Sequence, residues 1–266
     1  MRRLAITLEY DGTDFYGWQL QAEGRTVQRV AERAVRKTTQ QEARVIGAGR
    51  TDSGVHAEGQ VAHFDVDSDL TEYELLQGLN YWMPDDVAAI HCCDAPRDFN
   101  AQWSAASKLY RYRFLCSVTP SPLRDRYVLR EWRPVDEQAM ADCAGRLVGR
   151  HDFTSFCSEH AEVEDRVRRV LRSEVRPVGD ELHYLVEAEG FLYNMVRIIA
   201  GTLREVGVGN MSREEFCAAL EARDRRAAGP TAAAKGLTLV RVDYPDDPRA
   251  GGAGRGWPAG GCAPDR

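Results

Sequence analysis

The chain has 266 residues with 41 acidic and 35 basic side chains, a formal net charge of −6, which excludes a globally basic nucleic-acid binder. Hydrophobic residues are 43% and charged residues 29%, the balance of a globular chain long enough for one large domain or two ordinary ones. No apolar run approaches the roughly 20 residues that span a bilayer, and Glu9 and Asp11 interrupt any apolar stretch behind Arg2 and Arg3, so no membrane span or signal peptide is expected and the expected compartment is the cytoplasm.

Leu4, Ile6, Leu8 and Tyr10 alternate and predict a strand. Val27, Val30, Ala31, Ala34 and Val35 stand at helical spacing and predict a helix over 26–38, with Thr26 as its cap. Residues 43–48 predict a short strand, and Ala62, Phe64 and Val66 mark another. A helix over 71–81 and a strand over 87–93 complete a β-α-β-β-α-β order. The second half repeats it: a strand over 107–116, a helix over 136–148, strands over 167–176 and 182–189, a helix over 194–206 and a closing strand over 237–244. Ser212 and Glu215 read as a capping box for one more helix, ending near 222. This is the order of the ferredoxin-like, split βαβ unit. The expected fold is therefore α+β, with two ferredoxin-like subdomains, 1–103 and 104–245. Their antiparallel sheets lie side by side with a cleft between them, a kind of surface that receives RNA. The tail 246–266, rich in Gly, Pro, Asp and Arg, is read as disordered.

Charge is uneven along the chain. Residues 1–103 carry 17 acidic and 10 basic side chains, whereas 104–177 carry 11 and 14, so a local positive surface is expected there. The seven cysteines form no C-x-x-C pair and read as reduced, mostly buried thiols. Adjacent His91, Cys92 and Cys93 on a strand point to opposite faces and converge poorly on one ion, so no metal site is expected.

Four segments can carry chemistry. Gly49-Arg50-Thr51-Asp52-Ser53-Gly54-Val55-His56-Ala57 follows a strand and is too glycine-rich for a helix, and it lacks the G-K-[ST] ending of a phosphate loop. It fits a tight turn in which Asp52 caps its own backbone, and equally a site loop in which Arg50 keeps Asp52 ionised for work as a nucleophile. In Lys108–Phe114, alternation puts Tyr110, Tyr112 and Phe114 on one strand face and Arg111 and Arg113 on the other. Tyr110 fits a core strand, or a cleft where it stacks on a base. Residues 190–197 form a strand-to-helix junction in which Arg197 lies off the apolar stripe, as a solvated charge or a partner for an acid, and 229–237 is a turn-rich lead into the last strand.

Taken together, GRTDSGVHA (49–57), KLYRYRF (108–114), FLYNMVRIIAGTL (191–203) and GPTAAAKGL (229–237), with LEYDGTDFYGWQLQ (8–21) before them, resemble the tRNA pseudouridine synthase A family over residues 3 to 245. The last of these motifs often carries a proline where this chain has Ala233 or Ala234, a difference of loop rigidity. The resemblance implies an isomerase acting on uridines 38 to 40 of the tRNA anticodon stem-loop, as a homodimer whose subunits both grip each tRNA. It implies Asp52 as the catalytic aspartate, Arg50 as its neighbouring arginine, Tyr110 stacked on the target base and Arg197 paired with the aspartate. Substrate contacts are expected at Tyr110, Arg50, His56 and Arg204. Uridine and pseudouridine contain the same atoms, so no cofactor and no metal is expected. A carboxylate can attack C1′, as in glycosidases, or abstract a sugar proton to give a glycal, and both routes remain open. A non-catalytic RNA-binding module and a nucleosidase are the rival readings.

Overall fold

The structure, a computed structural model, describes residues 1–161, 163–251 and 253–254. In chain order the elements are β1 (Arg2–Tyr10), α1 (Val27–Thr39), β2 (Ile46–Gly47), β3 (His56–Val66), α2 (Glu72–Trp82), β4 (Val87–Ala95), β5 (Ser107–Cys116), β6 (Leu129–Glu131), α3 (Glu137–Gly145), β7 (Gly149–Asp152), β8 (Val167–Val178), β9 (Glu181–Ala188), α4 (Met195–Gly207), α5 (Arg213–Ala222), β10 (Leu237–Asp243) and β11 (Ala253–Gly254). This is a mixed α+β architecture. Local chemistry sets the helix starts. The Thr26 hydroxyl accepts from the Arg29 amide, and Thr71 with Glu74 and Ser212 with Glu215 form complete capping boxes.

The strands form one sheet in the order β11-β4-β1-β3-β10-β5-β9-β8-β7, with β2 on β3 and β6 on β5. The first half contributes β4-β1-β3-β2 and the second β10-β5-β9-β8, the same permutation twice. The two sheets expected side by side are joined edge to edge into one continuous sheet. β10 pairs antiparallel with β5 and, at Thr238↔His56 and Leu239↔Ala57, parallel with β3. That long-range pairing also starts β3 at His56, well before Ala62, and this was not readable from local alternation. The strand expected over 43–48 shrinks to Ile46–Gly47; at its start the Val45 amide donates to Glu32 Oε1 and not to a strand.

Helices α1 and α2 pack together in the first half, and α3, α4 and α5 in the second. Ile6, Leu8, Phe64, Leu75 and Leu79, then Phe114, Tyr184, Ile198, Ile199 and Phe216, are almost wholly removed from water. Each such side chain contributes about 1.5–3 kcal/mol of transfer free energy. Cys92 and Cys93 are buried thiols whose pKa burial pushes up to about 12, matching the reading of inert reduced cysteines.

The disordered tail is corrected for its described part. Pro248–Gly251 form a 3-10 turn, and Ala253–Gly254 pair with β4 at Cys92 and His91. Arg249 ties this segment down by donating to the Val242 carbonyl at 2.7 Å and to Asp247, with its guanidinium over the Tyr244 ring. Residue 252 and residues 255–266, Trp257 among them, lie outside the described residues.

Candidate active site

The Gly49–Ala57 segment is held from below by the loop after β1. Trp18 donates its backbone N–H to the Thr51 carbonyl at 3.0 Å, and the Gly54 amide and Ser53 hydroxyl both donate to the Phe15 carbonyl. The two loops approach too closely for side chains. A Cβ at Gly12 would lie 2.0 Å from the Val55 carbonyl oxygen, and Gly17, with φ +86°, would put one 2.5 Å from the Thr51 carbonyl oxygen. Tyr10 locks the turn from inside through its hydroxyl, 2.8 Å from Thr51 Oγ1. The Val55 amide donates to the Asp52 carbonyl and closes the turn through Gly54 at φ +79°. The Asp52 side chain is thereby freed to face outward, 24% exposed.

Arg197 meets it from α4. Its Nη1 donates to Asp52 Oδ2 at 3.0 Å and to Asn194 Oδ1 at 2.8 Å, and its Nε donates to the Ala232 carbonyl at 2.9 Å. Asn194 begins α4 in the left-handed region, φ +60°, and makes no side-chain cap of its own. Its amide oxygen is therefore available to orient the guanidinium. The 229–233 loop is seated on α4: a Cβ at Gly201 would stand 1.8 Å from the Pro230 carbonyl oxygen, and the Gly229 amide donates to Thr202 Oγ1. Gly201 thus lets the loop come close enough for Ala232 to reach Arg197. Asn194, Ala232 and Gly201 were not singled out in the sequence; an Asn at a strand-to-helix junction was the one available signal.

Tyr110 lies in the middle of β5, between β10 and β9, opposite Leu239 and Val186. It is 7% exposed and its ring meets Phe191 edge-on, centroids 5.0 Å apart. Burial raises its pKa, with the nearby Tyr10 and Asp52 adding to the effect, so the phenol is neutral at physiological pH. Two residues along the same face, the Lys108 stem packs against Gly49, and burial lowers the pKa of its ammonium.

Arg50 is exposed and has no hydrogen bond or ion pair among the described residues; the cation on the Asp52 carboxylate is Arg197. His56 is a buried structural residue. Its Nδ1 accepts from the Gly12 amide at 3.0 Å, its Nε2 lies 2.9 Å from the Arg126 carbonyl, and burial lowers its pKa despite Asp11. It pins the two loops together. Arg204 is engaged with carboxylates. It sits two turns beyond Arg197 and donates to Glu131 Oε2 at 2.6 Å and to Glu205.

Glu131 is 1% exposed and bonded by both Arg204 and Arg133, and although burial alone would raise its pKa, these guanidiniums hold it down at about 2. A carboxylate with a folded pKa below its unfolded value stabilises the fold above about pH 4.5, and that contribution is lost as pH falls toward 2. Glu131→Gln is expected to destabilise the protein by about 3 kcal/mol at pH 7. The difference from the parent is expected to shrink to near zero by pH 2, as measured by urea unfolding across that range.

Among the described residues, no helix is long and apolar enough to cross a membrane, and no group of three or more His, Cys, Asp or Glu could hold a metal ion. Residues 6–114 and 143–245 match a family model described as tRNA pseudouridine synthase. The chain is 44% identical over 242 residues to a tRNA pseudouridine synthase A of Halalkalibacterium halodurans, covering 91% of this chain and 92% of that one. It is 43% identical over 249 residues to one of Agrobacterium fabrum, covering 92% and 94%. A solved Cbf5-Nop10-Gar1 complex matches at 13% identity and a TM-score of 0.36, over 90% of this chain and 59% of that one, a likeness too low to decide anything. The match to the family model spans both halves and so includes the Asp52 loop, β5 and α4, and with identity above 40% across nine-tenths of the chain it means that this protein belongs to the tRNA pseudouridine synthase family.

Proposed function

We propose that this enzyme isomerises uridine to pseudouridine at positions 38 to 40 of the tRNA anticodon stem-loop, with Asp52 acting at C1′ of the target. The observation that carries the reading is the Asp52 carboxylate, partly open to solvent and held 3.0 Å from Arg197. Substrate and product are isomers, so the reaction needs no oxidant or reductant. The N1–C1′ bond breaks, the uracil turns, C5 joins C1′, the hydrogen on C5 leaves as a proton, and N1 gains one. Asp52 either attacks C1′ or removes a sugar proton, and either task needs the anionic form in which it pairs with Arg197. Tyr110 holds the unstacked base and assists the proton leaving C5. Family membership supports this over a nucleosidase, which releases free uracil, and over a non-catalytic RNA-binding module.

In the same reading, residues 1–103 and 104–245 are two ferredoxin-like units, supported by the repeated strand permutation. The enzyme works as a homodimer in the cytoplasm, as the family resemblance implies. Incubating the protein with unmodified tRNA and mapping pseudouridine tests the reading; release of free uracil would convert it to a hydrolase.

Binding is expected to weaken steeply with salt despite the net charge of −6. The positive surface is smaller than composition implied. Arg111, Arg113, Arg124, Arg133, Arg169 and Arg172 are engaged with carboxylates, and Arg204 with Glu131. Contacts therefore fall to arginines such as Arg50, Arg150 and Arg176, each adding about 0.9 to the log–log salt slope. A dissociation constant that stays flat between about 50 and 200 mM salt argues for a small-molecule substrate.

A further inference from the structure

Beside the Asp52 loop lies a cavity of about 230 Å³ that the chemistry above does not use, lined by Trp18, Arg44, Gly47, Gly49, Arg50 and Trp103 among others. It is smaller than the roughly 300–1,000 Å³ of pockets that enclose drug-sized molecules, a scale suited to one planar ring. Its floor is the ring of the buried Trp18, pressed on Gly47 so closely that a Cβ there would lie 2.5 Å from the ring. Gly49 forms a wall, its carbonyl fixed by Gln60 Nε2 at 2.6 Å. Arg44 and Arg50 are exposed, and among the described residues neither has a hydrogen bond or ion pair. Trp103 is 79% exposed, yet it stands on a tightly tied turn. Asn100 Oδ1 accepts from the Gln102 and Trp103 amides, His63 Nδ1 accepts from the Ala101 amide, and the Tyr244 hydroxyl donates to the Ala101 carbonyl. The turn places the large Trp103 ring in water beside the cavity, where a ligand's flat face would give it apolar burial.

We propose that this cavity is a second nucleotide subsite, which takes the RNA nucleotide next to the isomerised uridine by stacking its base on Trp103 and pairing its phosphate with Arg44 and Arg50. The inference rests on the tRNA reading above. The shared loop ties the two sites together: Arg50 and Asp52 are two residues apart, at most about 7 Å between α-carbons. A nucleotide in the cavity and a uridine at Asp52 then belong to one continuous strand. Stacking tolerates any base, because every base has a flat face, so the subsite holds register along the strand without reading sequence.

The test uses the full-length protein and unmodified tRNA. Trp103→Ala is expected to raise the dissociation constant about tenfold, and Trp103→Phe, which keeps a ring, to restore it to within about twofold of the parent. Arg44→Ala is expected to lower the log–log salt slope by about one. A tRNA carrying 4-thiouridine beside the target uridine is expected to crosslink to residues 100–104 or to Arg44. Because Trp103 is exposed, its removal leaves the fold intact, which circular dichroism checks. Parental affinity in Trp103→Ala, an unchanged slope in Arg44→Ala, or crosslinks confined to other segments overturns the subsite while the parent still converts tRNA. A parent that neither binds nor converts tRNA overturns the tRNA reading itself.

Discussion

Asp52→Asn is expected to abolish pseudouridine formation, by about 10⁴-fold or more, the scale of losing the group that reacts. The amide is nearly the same size as the carboxylate and can still accept from Arg197, so the local geometry survives. It is, however, a poor nucleophile and a poor base, which removes both open routes at once. The pair is partly exposed, with Asp52 24% and Arg197 19% accessible, so its loss is expected to shift stability by no more than about 1 kcal/mol. Phosphate contacts supply most of the affinity for RNA, so tRNA binding is expected to persist. The measurement is tritium release from tRNA labelled at C5 of uridine, alongside a binding titration. Rapid release by the variant removes Asp52 from the mechanism, and loss of binding together with activity shows a structural role.

Tyr110→Phe is expected to leave tRNA binding nearly intact while product formation collapses, whereas Tyr110→Leu is expected to lose both. The ring supplies stacking of about 1–3 kcal/mol per base; the hydroxyl serves the proton that leaves C5. That hydroxyl makes no hydrogen bond among the described residues, so a phenylalanine strands no partner, and the edge-on contact with Phe191 is kept. Burial raises the pKa of Tyr110, so the hydroxyl is neutral before reaction; as it receives the proton from C5 it gives its own proton to solvent water, which is where the tritium label is read. If the hydroxyl acts only after glycosidic cleavage, the Phe variant accumulates either an adduct on Asp52 or a glycal, and identifying which one distinguishes the two routes. If Tyr110 is only a buried member of β5, Tyr110→Phe would release tritium at the parental rate, and that result would falsify the catalytic role.

Much of the fold was legible in the order of residues because its signals are local. Thr71 with Glu74 and Ser212 with Glu215 satisfy helix-start amides within one turn, and the alternation of Tyr110, Tyr112 and Phe114 needs only the strand period of two. The β-α-β-β-α-β order of the first half followed from the same periodicities, whereas the short β6 and β7 of the second half had no such signal. The glycine-rich Asp52 loop stood out by composition, and Gly54, at φ +79°, is the glycine its turn requires.

What only the tertiary structure decided are pairings between residues far apart in the chain. Arg197 reaches Asp52 across 145 positions; the family resemblance had implied this pair, but residue proximity alone offers only Arg50, and the contact itself is set by the docking of α4 and by Asn194. The parallel contact of β10 with β3 merges the halves into one sheet, and no local pattern encodes a partner strand. The surroundings of His56 and Arg204 were likewise set by distant segments: His56 is desolvated between two loops, and Arg204 is bonded to the buried Glu131. Periodicity and capping act within a few residues and so are written in the sequence itself, whereas the partner of a charge or a strand edge depends on which distant segments the folded core brings within a few ångströms.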